Sequence, residues 1–172
     1  MVRLHLRPRR GGLETARGRR EVPGRGAGHV ARIATFVERL REAGTVGLDT
    51  VVFIYTFERH PRFGPCAQAL FQALEDGECR GIASVLALGE VLTGAKRAED
   101  ESLLLHYRAV FERFPGLTTV DVDREVVEWT STLRTRYGIP TPDAIHIGTA
   151  LAYGALAFVT NDARLRSVKE ID

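Results

Sequence analysis

Four carboxylates lie at positions where the surrounding sequence predicts burial: Asp49, Glu90, Asp143 and Asp162. Asp49 interrupts the apolar and β-branched run "TVGLDTVVF", and Glu90 shares its predicted helical face with apolar residues. Asp143 opens the helix "TPDAIHIGTA", and Asp162 comes just after the run "AFVT", separated from it by Asn161. A buried charge is costly unless it is paired or bound to a metal. If the four side chains meet, each raises the pKa of the others, and a divalent cation relieves the repulsion.

Ligands that are all oxygen favour Mg²⁺ or Mn²⁺ over zinc. Such a centre activates a water and neutralises the charge that develops on a phosphodiester, so the four acids predict phosphodiester hydrolysis. Each acid also has a structural explanation. Asp143 suits the helix macrodipole, Asp162 could be the N-cap of a last helix, and Glu90 could pair with a Lys or Arg.

Short strands alternate with helices over the last two-thirds of the chain. One predicted strand ends near Asp49, and the others are "CRGIAS", "LTTVDV" and "LAFVT". This alternation predicts an α/β fold with a parallel sheet covered on both faces. Asp49 and Asp162 then fall at the carboxyl edge of the sheet, where open α/β sheets form ligand crevices. The start of the helix that carries Asp143 converges on that edge, and Glu90 would lean over it from the side.

Capping residues place the helix ends. Ser84 and Asp123 are predicted N-caps, and Gly138 is predicted to end the helix that Asp123 begins. Thr141 and Pro142 are predicted as N-cap and first residue of the helix that carries Asp143.

The chain of 172 residues predicts one globular domain preceded by a basic arm. Residues 1–32 hold nine Arg and two Glu for a net charge of +7, whereas 33–172 have a net charge of −5. Residues 1–28 are rich in Arg, Gly and Pro and are predicted to be disordered, either as a nucleic-acid-binding arm or as a tail without a role. Residues 29–44 predict an amphipathic helix, and 45–172 the domain itself.

Composition excludes several classes of protein. The two cysteines form no CxxC, which argues against a zinc site or a disulfide framework and predicts a reducing cytoplasm. No apolar run has the length of a membrane span, and the arm lacks the apolar segment of a secretory signal. The glycine-rich "GRGAGHV" follows no predicted strand and therefore fails as a nucleotide-binding loop.

Four segments together resemble the PIN domain, and most closely the VapC-like toxin ribonucleases of toxin–antitoxin pairs. They are "GLDTVVFIYTFERHP", "SVLALGEVLTG", "TPDAIHIGTALAYGA" and "FVTNDARL". The resemblance covers about residues 45–172 and implies a three-layer α/β/α sandwich around a parallel sheet. It implies an Mg²⁺- or Mn²⁺-dependent ribonuclease in which Asp49, Glu90, Asp143 and Asp162 are catalytic residues and hold one or two metal ions.

The same resemblance implies supporting roles for Thr50, Thr160 and Asn161, which flank the first and last acids. It also implies an RNA substrate, a cognate antitoxin protein and a homodimer. One position departs from the family pattern, because Val51 stands where an Asn or Ser is common. This departure weakens the expected hydrogen-bond support of Asp49.

Four other residues could approach an RNA site but have a simpler interpretation. His146 lies three residues after Asp143 and is predicted to be a packed helix histidine, outside the ligand set. Arg134 and Arg136 are predicted as surface charge, and Trp129 as a core or dimer contact.

Two alternatives to the ribonuclease remain open at this point. A catalytically weak PIN-like module could bind RNA or a protein without cutting. A phosphatase with Asp49 as nucleophile would need a second Asp two residues on, and Val51 occupies that place.

Overall fold

The computed structural model describes residues 3–4 and 25–171. Its strands are β1 (Arg3–Leu4), β2 (Thr45–Leu48), β3 (Arg80–Ser84), β4 (Leu117–Val120) and β5 (Ala157–Thr160). Its α-helices are α1 (Arg25–Ala43), α2 (Thr50–Phe57), α3 (Gly64–Glu75), α4 (Val85–Arg97), α5 (Glu101–Arg113), α6 (Arg124–Tyr137) and α7 (Thr141–Ala152). A 3₁₀-helix, Ala163–Ser167, is the last element of the described residues.

The sheet has the strand order β1-β5-β2-β3-β4. Strands β2 to β5 are parallel to one another, as predicted, and β1 adds a two-residue antiparallel edge beside β5. Leu48 at the end of β2 pairs with Ala83 of β3 and Val159 of β5. The carboxyl ends of the three central strands therefore lie level with one another, and the loops that follow them emerge at one edge.

Helices cover both faces of the sheet. Along β5, Ala157 and Val159 join the core formed with α1 to α5, whereas Phe158 joins the core formed with α6 and α7. This alternation is what the period of a β-strand requires when both faces are buried. The three-layer α/β/α sandwich is thereby confirmed.

The approach of α7 to the sheet depends on Gly47 in the middle of β2. A Cβ at this position would lie 2.3 Å from Cβ of Ala150 and 2.8 Å from the ring of Phe158. Because no side chain fits in that space, a glycine is needed here for α7 to pack directly on β2. This contact fixes the helix whose first turn carries Asp143.

Three helix ends follow the predicted capping. The side chains of Ser84 and Asp123 accept hydrogen bonds from the backbone N–H groups of Leu86 and Val126, and Gly138 ends α6 with a left-handed φ of 63°.

The start of α7 differs from the prediction. Thr141 is already helical, the N-cap is Pro140, and no side chain caps the helix. The predicted assignment of Thr141 as N-cap and Pro142 as first helical residue was therefore wrong by one position. The extended backbone of Pro140 lets its carbonyl accept the first helical hydrogen bond, from Ala144.

The N-terminal helix also begins earlier than expected, at Arg25 rather than near residue 29. The predicted disorder of residues 1–28 concerns a segment that lies mostly outside the described residues. Within the described part of the chain, no helix is long and apolar enough to cross a membrane. Both cysteines are free thiols.

Candidate active site

The four predicted acids line one cavity of about 430 Å³ at the carboxyl edge of the sheet. The complete lining is Asp49, Thr50, Val51, Ile54, Glu90, Thr93, Asp143, His146 and Asp162. Strand ends, a helix start and a helix face supply the acids, as the parallel topology predicts. Their roles as ligands stay a prediction.

Asp49 is the most buried of the four acids, with 9% of its surface exposed. Its Oδ2 accepts a hydrogen bond of 2.5 Å from the hydroxyl of Thr160, and its backbone N–H donates to the carbonyl of Val159. Burial raises the pKa of Asp49, although the Thr160 hydrogen bond acts in the opposite direction. The carboxylate is thus held rigidly in surroundings that disfavour its charge.

Asp143 lies in the first turn of α7 and is half-buried. Burial raises its pKa, and the nearby charges of Asp49 and Asp162 raise it further. The three carboxylates are therefore close enough to repel one another, which is the situation that a bound cation relieves.

Asp162 serves as the N-cap of the 3₁₀-helix, in agreement with its structural explanation. Its Oδ1 accepts from the backbone N–H of Arg164 at 2.8 Å, and its Oδ2 from Nε of the same residue at 2.8 Å. These hydrogen bonds lower the pKa of Asp162. The Arg164 guanidinium also lies 3.8 Å from Oδ2 of Asp143, so it offsets the negative charge of both acids.

Glu90 pairs with a histidine rather than with the Lys or Arg that its structural explanation required. Its Oε2 accepts a hydrogen bond from the hydroxyl of Thr50 and lies 3.1 Å from Nε2 of His146. The His146 hydrogen bond is the main reason that the pKa of Glu90 is lowered. Among the described residues, Oε1 of Glu90 has no hydrogen-bond donor.

Thr160 is the predicted supporting residue that connects two of the acids, Asp49 and Asp162. The hydroxyl of Thr160 accepts from the backbone N–H of Asp162 at 3.0 Å while it donates to Asp49, so it links the ends of β2 and β5. The amide of Asn161 donates to the hydroxyl of Tyr55 at 3.1 Å, which ties the segment after β5 to α2.

Val51 and Ile54 form an apolar wall of the cavity on the first turns of α2. Val51 stands where the family often has Asn or Ser, and it offers the cavity no hydrogen bond. Support for Asp49 comes instead from the hydroxyl of Thr160, and the side chain of Asp49 makes no capping hydrogen bond to α2.

The donor chemistry of this cavity fits a hard divalent cation, because its acids supply oxygen ligands only. In the part of the chain that the structure describes, however, no three His, Cys, Asp or Glu side chains stand close enough to hold a metal ion. Arg164 engages both oxygens of Asp162, and Oε2 of Glu90 is engaged by two donors. A cation would have to compete with Arg164 for Asp162.

The remaining candidates lie away from this cavity. Arg136 forms an ion pair with Glu170, and it lines a second cavity of about 380 Å³ together with the half-buried Trp129. Arg134 is exposed on α6 and does not line the acidic cavity.

The sequence model of the PIN domain matches residues 46–171, which is most of the chain. The chain belongs to the PIN domain family. The resemblance found in the four sequence segments is thereby confirmed. No curated protein matches the chain in sequence.

Solved structures share this PIN domain fold at low sequence identity. A toxin–antitoxin complex from Klebsiella pneumoniae is 21% identical with a TM-score of 0.57, and the match covers 74% of this chain and 95% of that one. VapBC2 from Rickettsia felis, bound to a DNA fragment from its promoter, is 18% identical with a TM-score of 0.60 and the same coverage. VapC20 from Mycobacterium tuberculosis, a toxin that cleaves the sarcin–ricin loop, is 14% identical with a TM-score of 0.58 and coverage of 74% and 98%.

His146 is the site residue that sequence reasoning set aside in this PIN domain. It is buried at 4% exposure, as expected of a packed helix histidine, yet its Nε2 lies among the polar groups of the cavity. The sequence feature that pointed to His146 was its spacing from Asp143, because residues three apart lie on neighbouring helical faces. Spacing alone could not reveal the partner, since Glu90 is 56 residues away in sequence.

Asp49→Asn is expected to stabilise the metal-free PIN domain at neutral pH. Burial raises the pKa of Asp49 above its unfolded value, so stability is lost as pH rises from the unfolded pKa through the folded one. The neutral amide removes this cost. We expect a gain of about 1 kcal/mol at pH 7, or roughly 3 °C in Tm, measured by thermal unfolding with a chelator present.

The gain should shrink as pH falls and vanish below the ordinary carboxyl range, where Asp49 is protonated in both states. An unchanged or lower Tm at pH 7 would show that the ionised carboxylate is not destabilising. If the cavity binds Mn²⁺, the ion should raise the Tm of the wild type but not that of the variant, because asparagine lacks the charge that attracts a cation.

Proposed function

We propose that this PIN domain is an endoribonuclease that requires Mg²⁺ or Mn²⁺ and acts as the toxin of a toxin–antitoxin pair. The observation that carries the proposal is the gathering of four carboxylates around one cavity at the carboxyl edge of a PIN domain. Two of them, Asp49 and Asp143, have raised pKa values because they are buried with too little neutralising charge. Because these surroundings disfavour the ionised carboxylates, the site is suited to a bound cation.

Each of the four acids has a role in this proposal. Asp49, Glu90, Asp143 and Asp162 hold one or two ions, with Thr50 and Thr160 fixing the orientation of two of the carboxylates. When bound, the metal supplies water activation and neutralises the charge that develops on the phosphodiester. The apolar wall of Val51 and Ile54 limits water on one side of the cavity, which strengthens the electrostatic interactions within it.

Arg164 has a separate role. Its exposed guanidinium neutralises Asp162 and Asp143 while no metal competes for them. Were a cation to bind those carboxylates, the guanidinium would be free to contact an RNA phosphate, for which its planar donors are suited.

The toxin assignment brings further expectations about partners and place. We expect an antitoxin protein that covers the acidic cavity, a homodimer, and action in the cytoplasm, where both cysteines stay reduced. One structural neighbour is a toxin–antitoxin complex, a second is VapBC2 bound to promoter DNA, and a third is a toxin that cleaves the sarcin–ricin loop.

A cleavage assay on the wild-type chain tests the proposal. The purified protein is incubated with defined tRNA, rRNA and mRNA fragments, and with Mg²⁺, Mn²⁺, or a chelator in excess. We expect specific RNA fragments with either metal and none with the chelator. The proposal fails if the protein cuts equally well without metal, or cuts no RNA in any of the three classes.

A second candidate is a PIN domain that binds RNA or protein without cutting. The tight pairing of Asp162 with Arg164 favours it, because a permanently neutralised acid would be a poor metal ligand. Isothermal titration with Mn²⁺ separates the two candidates. A nuclease site binds the ion with measurable heat, whereas a site closed by Arg164 gives none.

A further inference from the structure

His146 occupies the interior of the candidate site and is almost completely enclosed, with 3% of its side chain exposed. Its Nε2 lies 3.1 Å from Oε2 of Glu90 and 3.2 Å from the hydroxyl of Thr50. The three side chains belong to α7, α4 and α2, so this contact joins three helices at the edge of the sheet.

Packing alone does not explain a histidine at this position. Within the described residues, Nδ1 of His146 is buried without a hydrogen-bond partner, and a buried polar atom of this kind costs stability. A methionine or leucine would fill the space between the helices without that cost. The contact of Nε2 with Glu90 is what distinguishes histidine from an apolar residue here.

The hydrogen-bond roles follow from the chemistry of the partners. An ionised carboxylate only accepts, so Nε2 of His146 carries a proton and donates it to Oε2 of Glu90. The hydroxyl of Thr50 donates to the same oxygen. Both donors therefore converge on one carboxylate oxygen, and Oε1 stays available to a ligand.

Glu90 needs such support more than Asp49 does. Its side chain is 37% exposed, and a glutamate has more rotatable bonds than an aspartate. Without fixed partners the carboxylate would lose rotamer freedom each time it bound a cation, at a cost in affinity. Donors that hold a ligating carboxylate in advance remove this cost.

We propose that His146 is a positioning residue for the metal site, which holds Glu90 through the Nε2–Oε2 hydrogen bond so that Oε1 is presented to the cation. The inference rests on the proposed metal-dependent function. It assigns His146 a role in the candidate site. The affinity for the metal then depends on a side chain that is not itself a metal ligand.

Mn²⁺ titration by calorimetry on the full chain tests the proposal with three variants. His146→Met keeps the volume and removes the donor, so we expect the affinity for Mn²⁺ to fall about 10-fold or more. His146→Gln places an amide N–H near the position of Nε2, and we expect affinity within about 3-fold of wild type by the same reasoning. His106→Met, on the exposed face of α5, is the control and should leave the affinity unchanged.

A double variant separates positioning from a general structural effect. In the background of Glu90→Gln, the change His146→Met should cost little further affinity, because the partner of the hydrogen bond is already altered. In kinetics, His146→Met should raise the metal concentration needed for half-maximal cleavage and leave KM for RNA unchanged. Additive losses in the double variant would contradict positioning through Glu90.

The outcomes distinguish the two proposals. If the wild type binds Mn²⁺ and His146→Met binds it equally well, the role of His146 is overturned and the proposed function stands. If the wild type binds no Mn²⁺, both proposals fall. Should His146→Met not fold by circular dichroism, His146→Asn replaces it, because its shorter amide cannot reach Glu90, and the same loss of affinity is expected.

Discussion

Asp143→Asn is expected to abolish metal-dependent RNA cleavage while the fold stays intact. Metal stabilisation of the transition state is worth several kcal/mol, so loss of a ligand should lower kcat more than about 10³-fold. Asp143 is the acid on which burial and the charges of Asp49 and Asp162 act together. The amide keeps the shape of the side chain but lacks the charge that would hold the cation between these neighbours. Single-turnover cleavage at saturating Mn²⁺ measures the loss.

The matched control is Asp76→Asn. Asp76 is an exposed carboxylate before β3 and thus near the opposite edge of the sheet, where it accepts a hydrogen bond from Gln72 that an asparagine can still accept. We expect its activity to equal that of the wild type. Circular dichroism and Tm should show Asp143→Asn folded and at least as stable as wild type, because a carboxyl with a raised pKa has been made neutral. Full activity in a folded Asp143→Asn variant would rule out the proposed site.

The layout of the site was predictable because it follows from topology. Asp49 and Asp162 come at the ends of β-branched runs, and parallel strands must end at one edge. Asp143 opens a helix that starts at that edge. Three of the four acids were therefore placed by local sequence pattern together with one rule of sheet geometry.

The hydrogen bonds within the site were not predictable in the same way. The hydroxyl of Thr160 supports Asp49, an acid 111 residues away, as well as the backbone of Asp162. Such pairings depend on the register of β2 against β5 and on rotamers, which no local pattern encodes. The ion pair of Arg164 with Asp143 could likewise not be predicted, because only the turn after β5 brings the two residues together.

Two further features, a helix start and a strand at the sheet edge, were not predicted correctly from the sequence. The start of α7 differed by one residue because Pro140, with an extended backbone, occupies the N-cap position without the side-chain oxygen on which the prediction rested. The pairing of Arg3–Leu4 with Val159 and Thr160 was missed because a two-residue strand has no periodicity to detect. This strand pairing is set by a tertiary contact rather than by local preference.

Gly47→Ala is expected to cause the largest loss of stability of any single methyl addition to the sheet. The new Cβ would lie 2.3 Å from Cβ of Ala150 and 2.8 Å from the ring of Phe158, so α7 must move away from β2. Overpacking of a core costs about 1 to 3 kcal/mol. We expect the upper end of this range, because the Cβ of Ala150 is attached directly to the helix backbone and cannot move aside by rotation. At about 2 to 4 °C per kcal/mol, Tm should fall by roughly 6 to 12 °C in thermal unfolding.

Gly94→Ala is the matched control, because Gly94 is an exposed helical glycine whose added Cβ would meet no atom within 4 Å. It should gain about 0.5 to 1 kcal/mol from helix propensity. Displacement of α7 also moves Asp143 relative to Asp49, so Gly47→Ala should bind Mn²⁺ more weakly even at temperatures where it is fully folded. If Gly47→Ala matches the wild type in both Tm and Mn²⁺ affinity, the direct contact of α7 with β2 does not determine the position of Asp143.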